Sequence, residues 1–261
     1  MFQTLSKAVH DPSKALSILT YQLSKPFGHY EYQKFMVLTR SRTGSNLLIS
    51  LLNSHPLIHA EYEAFAKLRG ETVEQRFGAV YSKQPSTIKA VGFKLFYYHP
   101  LDDKHQFEAL WNRIIQDKAI RIIHLKRKNK LRMIVSRTIA EQQEIWSQKE
   151  TPSPQAPLVK SKPIMLSTVA LEKEFLASTD PEIQFANRLR GHPILDIYYE
   201  DIVENMDTAT GQIFDFLGLP PCQPQTSFRK QNIEPLSKLV SNYASLKQYF
   251  AGSQWESFFE S

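Results

Sequence analysis

Cationic and hydroxyl side chains crowd a short segment of the chain near residue 42. The segment consists of Arg40, Ser41, Arg42, Thr43, Gly44, Ser45 and Asn46. Guanidinium and hydroxyl groups donate hydrogen bonds to phosphate oxygens, and a glycine lets the backbone approach a ligand closely. These residue types at this spacing predict a site for a phosphate or sulfate group.

The elements on either side of this segment strengthen that prediction. Residues 35–38 are four consecutive apolar residues, which indicate a buried strand. Apolar residues at helical spacing follow the segment, namely Leu47, Leu48, Leu51 and Leu52. The free N–H groups and the dipole of a helix N-terminus favour an anion at such a junction. The metal-dependent nucleotide P-loop, in which a lysine follows a second glycine, has no counterpart in this sequence.

A second basic cluster stands at another strand-to-helix junction. Residues 121–125 have an apolar centre typical of a strand and run into the basic residues 126–130. Asn129 is a candidate N-cap for the helix that follows. Arg132 and Ser136 are four residues apart and therefore share one face of that helix.

Together the two junctions resemble the sulfotransferases that use 3′-phosphoadenosine 5′-phosphosulfate. The run Arg42-Thr43-Gly44-Ser45 matches the family's 5′-phosphosulfate loop in order. The family's 3′-phosphate site consists of a strand, an arginine at its end and a serine on the next helix. The resemblance therefore implies Arg127 and Ser136 as 3′-phosphate contacts. The second junction is most similar to bacterial carbohydrate sulfotransferases, including the nodulation-factor and trehalose-sulfating groups.

The resemblance also implies a reaction. Arg42 holds the position of the cation that stabilises charge on the leaving 5′-phosphate oxygen, with residues 40–46 around the phosphosulfate. Arg229 and Lys230 stand where relatives have a C-terminal loop over the nucleotide. The acceptor is expected to be a hydroxyl on a carbohydrate or a glycolipid, and no metal is needed.

A hydroxyl acceptor needs a base, and residues 58–65 occupy the place where the family provides one. Glu63, two residues before a phenylalanine, resembles the pattern of the carbohydrate-sulfating enzymes and is the preferred base. Glu61 and His59 remain alternatives, because alternation in an extended segment places all three on one side. His99 is a weaker candidate, expected to be a surface histidine at a strand end. Lys94 could reach the acceptor pocket from its strand, but the preferred interpretation is an edge-strand lysine whose charged end reaches water.

The remaining pattern alternates strands and helices, which predicts an α/β fold with a parallel sheet flanked by helices. The resemblance implies the fold of the P-loop-containing nucleoside triphosphate hydrolases. We expect an N-terminal lead-in over 1–33 and a single sulfotransferase domain over 34–261. The proline-rich residues 151–163 are predicted to form a surface loop that could cover the acceptor. Residues 199–201 are expected to support a helix start.

The composition of the chain favours some classes of function over others. The 261 residues carry a net charge of +6, which suits an anionic ligand, and 42% of them are hydrophobic. The basic residues cluster at two junctions instead of forming a stripe, which argues against nucleic acid. A single cysteine, Cys222, excludes an internal disulfide and fits a reducing compartment. With no apolar run long enough to span a bilayer and no signal-peptide core, we expect a cytoplasmic protein.

Two rival functions remain at this point. A kinase on the same fold is disfavoured by the missing P-loop lysine. A non-catalytic protein that binds a nucleotide or an anionic glycan would use the same basic clusters. The acceptor and the oligomeric state are not predicted.

Overall fold

A computed structural model describes residues 20–21, 23–143, 162–226, 228 and 234–259 of the chain. One parallel sheet lies at its centre, with strands in the order β2-β3-β1-β4-β5. The strands are β1 Gln33–Thr39, β2 Ile58–Glu61, β3 Ala90–Phe96, β4 Arg121–Lys126 and β5 Ile194–Tyr198. The predicted α/β class is therefore confirmed.

Helices connect and flank the strands. In chain order they are α1 Ser45–Ser54, α2 Val73–Val80, α3 Phe107–Gln116, α4 Lys130–Gln143, α5 Thr168–Arg188, α6 Tyr199–Glu204, α7 Met206–Leu217, α8 Leu236–Leu239 and α9 Tyr243–Tyr249. Short 3-10 turns cover Lys25–Phe27, Lys104–Gln106 and Glu256–Phe259. Among the described helices, none combines the length and apolar character that crossing a bilayer requires.

Strand β1 explains why residues 35–38 form an unbroken apolar run. It pairs with β3 on one side and β4 on the other, and apolar residues of helices pack on both of its faces. Met36 and Leu38 pack in a cluster that includes Trp111 of α3, whereas Val37 faces Leu48 of α1. Two apolar layers, one on each side of the sheet, therefore fix the position of β1 and of the loop that follows it.

The sheet order places the predicted loop at a switch point. The chain leaves β1 toward β2 and β3 on one side and later continues to β4 and β5 on the other. Ligands of open parallel sheets bind beyond the carboxyl ends of the strands at such a reversal. The ends of β1, β3 and β4 therefore define the region in which to look for a site.

A third apolar cluster holds the C-terminal part of the described chain against α4. Leu131 of α4, Phe175 of α5 and Phe250 are all fully buried in it. Asn129 Nδ2 also donates a hydrogen bond to the Phe258 carbonyl at 3.1 Å. These contacts keep the start of α4 at the edge of the sheet, beside the end of β1.

Some of the sequence expectations fall outside the described residues. These are most of the lead-in (residues 1–19 and 22), most of the proline-rich segment (residues 151–161), and Arg229 and Lys230. The boundary at residue 34 stays a prediction, although β1 begins at Gln33.

Candidate active site

A cavity of about 950 Å³ opens at the carboxyl edge of the sheet. Its wall is rich in cations, contributed by Arg40, Arg42, Lys94, Arg127 and Arg137. Two carboxylates, Glu63 and Glu141, also line it. This surplus of positive charge in a concave site favours a ligand with several negative charges.

The loop between β1 and α1 has the backbone of an anion cradle. Gly44 has φ +81° and Arg42 has φ +67°, both in the left-handed region. A Cβ at residue 44 would lie 2.2 Å from the ring of Tyr199, so both the backbone angle and the available space require glycine. The first N–H groups of α1 point out of the helix at this place, where they can meet an anion.

Thr43 departs from the role that the loop motif implied for its side chain. It is fully buried and does not line the cavity. Its hydroxyl lies 2.6 Å from the Thr39 hydroxyl and donates to the Arg40 carbonyl at 2.9 Å. The hydroxyl of Thr43 therefore shapes the loop from the inside.

The two basic clusters of the sequence meet in this cavity. Arg127 Nη1 donates to the Arg42 carbonyl at 2.8 Å, which fixes the loop against the end of β4. Arg42 Nε and Nη2 donate to Ser136 Oγ at 3.0 and 2.8 Å. Burial and the neighbouring Arg127 lower the pKa of the Arg42 guanidinium. The structure thus brings Arg42, Arg127 and Ser136 together around one corner of the cavity.

The segment 199–201 supports this corner, as expected. Glu200 Oε2 accepts a hydrogen bond from the Lys128 N–H at 2.9 Å, and Asn129 caps α4 by accepting from the Arg132 N–H at 2.8 Å. The Tyr199 ring lies 4.6 Å from the Arg127 guanidinium and also packs under Gly44. Tyr199 therefore touches both basic junctions.

The opposite wall of the cavity contains a carboxylate held by a buried cation. Lys94 Nζ lies 2.9 Å from Glu63 Oε1 and 2.6 Å from Asn46 Oδ1. The interpretation of Lys94 as an edge lysine is wrong, because β3 lies between β1 and β2 and its side chain is only 1% exposed. Burial lowers the pKa of Lys94, while the charge of Glu63 opposes that shift.

His99 completes this wall. It was expected at the surface, but it is 0% exposed and lines the cavity, because the chain turns back against the sheet after Phe96. Its Nε2 lies 4.0 Å from Glu63 Oε2, and its Nδ1 accepts a hydrogen bond from the Phe96 N–H at 3.3 Å. Burial lowers the pKa of His99 to about 4.

The two alternative bases lie elsewhere. His59 and Glu61 are on β2, with the ring of His59 stacked on Tyr21 at 4.9 Å. Burial lowers the pKa of His59 to about 4 and raises that of Glu61. Neither lines the cavity. The expectation that Glu63 shares their side fails because β2 ends at Glu61 and the chain turns before Glu63.

Arg40 and Arg137 form the rim next to α5. Arg40 Nη1 donates to the Ala177 carbonyl at 2.9 Å, and Arg137 Nη2 lies 2.7 Å from Glu174 Oε2. An apolar stretch of wall is formed by Leu47, Leu101, Val203, Met206 and Phe228. In the described ranges no three His, Cys, Asp or Glu side chains are grouped as metal ligands would be.

Sequence reasoning undervalued Lys94, His99, Tyr199 and Arg137. A signal existed for Lys94, because a lone cation within the apolar run of a central strand must be buried with a partner. Tyr199 was expected only as support for a helix. His99 and Arg137 carried no comparable signal, since their place in the cavity depends on how distant segments pack.

Comparison of sequences relates this chain to known proteins. The profile of the Stf0 sulphotransferase family matches residues 53–244, a range that begins after the loop and includes Glu63, Arg127 and Ser136. Nodulation protein H of Rhizobium meliloti is 25% identical over 244 residues, covering 87% of this chain and 94% of that protein. Nodulation protein H of Rhizobium tropici is 24% identical over 247 residues, covering 87% and 93%. A solved sulfotransferase from Alicyclobacillus acidocaldarius superposes with a TM-score of 0.47 at 15% identity, covering 84% of this chain and 91% of that chain.

Proposed function

Because the chain belongs to the Stf0 sulphotransferase family, and is accordingly an enzyme of sulfuryl transfer, we propose a specific donor and acceptor class. The donor is 3′-phosphoadenosine 5′-phosphosulfate, and the acceptor is a hydroxyl on a carbohydrate. The observation that carries this proposal is the meeting of two basic strand-to-helix junctions in one cavity, opposite a carboxylate.

The residues present suit a nucleotide with several negative charges. Arg40 Nε is buried and has no hydrogen-bond partner among the described residues, and buried Arg127 Nε makes no hydrogen bond there but lies 3.7 Å from Glu200 Oε1. A buried donor of this kind is costly unless a ligand satisfies it. We call the loop 40–46, Arg127 and Ser136 the donor wall, since they would hold the nucleotide.

Each end of the donor has its own contacts in this proposal. Arg127 and Ser136 bind the 3′-phosphate, and Arg229 and Lys230 add to that site from a segment outside the described residues. The N–H groups at the start of α1 bind the 5′-phosphate. The side chains of Ser45 and Asn46 lie at the same edge of the cavity.

Arg42 stabilises the leaving group by charge. The bound donor supplies a sulfuryl group, and negative charge grows on the 5′-phosphate oxygen from which this group departs. A fixed cation there lowers the barrier more than it strengthens ground-state binding. Arginine keeps its proton, so Arg42 acts electrostatically and not as an acid. Its hydrogen bonds to Ser136 fix the guanidinium beside the side chain that we propose for the 3′-phosphate.

Glu63 is the base on the opposite wall. It accepts the proton of the acceptor hydroxyl, and its side chain is 39% exposed, so an acceptor can reach it. We call Glu63, Lys94 and His99 the acceptor wall. The resemblance to carbohydrate-sulfating enzymes and the similarity to nodulation protein H support a carbohydrate acceptor.

The wider setting is part of the same proposal. We propose a single catalytic domain over 34–261 that acts in the cytoplasm and takes no nucleic acid. The single cysteine supports a reducing compartment. The basic side chains at the two junctions line a cavity, where they serve a small ligand better than an extended polyanion.

Calorimetric titration tests the donor. We expect micromolar binding of adenosine 3′,5′-bisphosphate and much weaker binding of AMP and of ATP with magnesium. Arg127→Met should lower the bisphosphate affinity by about 10- to 100-fold, because it removes a buried charged donor. Arg113→Met, on α3 away from the cavity, is the control. Preference for ATP with magnesium would overturn the proposed donor.

A transfer assay tests the acceptor. The enzyme, radiolabelled phosphosulfate donor and a panel of saccharides that includes trehalose should give a sulfated sugar. In this assay Arg42→Ala should abolish transfer while retaining part of the nucleotide affinity. Unchanged activity of that variant would remove Arg42 from the site, and transfer to no saccharide would contradict the carbohydrate class.

A further inference from the structure

His99 has a fixed tautomer because of its backbone neighbour. Its Nδ1 accepts the Phe96 N–H at 3.3 Å, so in the neutral ring the proton sits on Nε2. Burial lowers the pKa of His99 to about 4, with contributions from Lys94 and Lys104, and Glu63 opposes the shift. The ring is therefore a neutral hydrogen-bond donor at physiological pH, and its Nε2 cannot take up a further proton.

That donor has nothing to bind within the described part of the protein. His99 is 0% exposed, and its Nε2 is buried without a hydrogen-bond partner. His99 is among the residues that line the cavity, and this nitrogen lies 4.0 Å from Glu63 Oε2. A buried donor that is left unsatisfied is destabilising, so its retention next to the base indicates a ligand atom.

Lys94 decides which oxygen of Glu63 is available. Its Nζ lies 2.9 Å from Oε1 and is held from the other side by Asn46 at 2.6 Å. Oε1 is therefore engaged, whereas Oε2 is the oxygen that faces His99. A separation of 4.0 Å between a carboxylate oxygen and an N–H group is compatible with one bridging oxygen atom about 2.8 Å from each.

We propose that His99 is a catalytic residue that binds the acceptor oxygen, with its Nε2–H donating to the hydroxyl that Glu63 deprotonates. This inference rests on the proposed function. The hydroxyl donates its proton to Glu63 Oε2 and accepts from His99 Nε2. Both contacts orient the oxygen toward the donor wall.

The reaction balances with these two residues. The acceptor O–H bond breaks and its proton goes to Glu63 Oε2. The acceptor oxygen forms a bond to sulfur, and the bond from sulfur to the 5′-phosphate oxygen breaks with its electron pair on that oxygen. His99 keeps its proton throughout and stabilises the negative charge that develops on the acceptor oxygen.

This arrangement also selects the kind of acceptor atom. A hydroxyl oxygen has two lone pairs, so one can accept from His99 while the other attacks sulfur. A neutral amine has a single lone pair and cannot do both at once. The acceptor wall is therefore built for transfer to oxygen and disfavours transfer to nitrogen.

Two substitutions at His99 distinguish the roles of its two ring nitrogens. The amide oxygen of His99→Asn can replace Nδ1 as the acceptor for Phe96 but leaves no donor at Nε2. The amide nitrogen of His99→Gln can reach the place of Nε2. The full-length enzyme and both variants are assayed with radiolabelled phosphosulfate donor and the saccharide panel, and each is titrated with adenosine 3′,5′-bisphosphate.

We expect His99→Asn to lower kcat by about 100-fold and His99→Gln to lower it by less than about 10-fold. Bisphosphate affinity should change less than about twofold in both. An active wild type with unaffected His99→Asn, or with His99→Gln as poor as His99→Asn, would overturn this inference alone. A wild type that binds the bisphosphate but sulfates no saccharide would overturn the carbohydrate acceptor and this inference with it.

Discussion

The two walls of the cavity are built in different ways. The donor wall comes from two continuous strand–loop–helix segments, in which the local backbone places the contacts. The acceptor wall joins Glu63, Lys94 and His99 from separate parts of the chain. Lys94 reaches Glu63 because β3 pairs with β2 and the Lys94 N–H continues that pairing to the Tyr62 carbonyl at 2.9 Å. A local motif can thus specify the donor wall, whereas the residues of the acceptor wall come together only when the sheet forms.

The largest expected effect is on the catalytic rate and comes from a substitution in the acceptor wall that leaves nucleotide binding at the donor wall unchanged. Glu63→Gln removes the proposed base of the acceptor wall, so kcat for transfer should fall by about 10³-fold while bisphosphate affinity stays the same. The steady-state rate and calorimetry measure the two quantities. Glu61→Gln is the matched control, because Glu61 lies off the cavity. A wild-type rate for Glu63→Gln would transfer the role of base to another group.

Low pH should lower the stability of the folded protein through the protonation of His99. Burial lowers its pKa to about 4 from an ordinary value of 6.5. Between these values the unfolded chain binds a proton that the folded chain does not, so the free energy of unfolding falls as pH falls. From pH 7 to pH 4, the wild type should lose about 3 kcal/mol relative to His99→Asn, measured by urea unfolding. A difference between the two proteins that is constant with pH would contradict this, and His105→Asn is the surface control.

Substitutions at two glycines test whether the backbone conformation of the loop is needed for nucleotide binding at the donor wall. Gly44 and Gly70 both have positive φ, but only an added Cβ at Gly44 meets a neighbour, the ring of Tyr199. We expect Gly44→Ala to raise the dissociation constant of the bisphosphate by about 10- to 100-fold through loop strain of about 1–3 kcal/mol. Gly70→Ala should lower stability but leave binding intact. Equal affinities for the two variants would show that the loop tolerates a side chain.

The smallest effect concerns a single hydroxyl of the donor wall. Ser136→Ala should weaken bisphosphate binding by about two- to tenfold, since one hydrogen bond to the ligand is lost. Calorimetry measures this change, and Ser82→Ala, distant from the cavity, serves as a control. An unchanged dissociation constant would exclude Ser136 from the 3′-phosphate site.

The contrast between the walls explains what could be predicted from sequence. Local rules predict a strand at residues 35–38, a turn at the loop glycine and a helix cap at Asn129. The structure has all three. The parallel sheet followed from alternating strands and helices.

The errors arose where the surroundings of a residue come from distant segments. The hydroxyl of Thr43 turns inward because the Thr39 hydroxyl is available to it. Lys94 is buried because β3 lies inside the sheet, which its apolar neighbours in the sequence indicated. His99 is buried because the chain turns back after β3, and no local pattern encodes that burial. Glu63 was chosen by resemblance, and its proximity to Lys94 depends on strand pairing.

Lys94 bonds to Asn46 at the start of α1 and to Glu63 across the cavity. One ammonium group therefore contacts both the helix that we propose binds the nucleotide and the carboxylate that we propose as the base. If nucleotide binding displaces Asn46, the contact between Lys94 and Glu63 changes. The affinity for the proposed sugar acceptor then changes as well. Thermodynamic linkage makes such an effect reciprocal: the factor by which nucleotide alters sugar affinity equals the factor by which sugar alters nucleotide affinity. If the two proposed substrates bind in this way, a single buried cation couples their affinities.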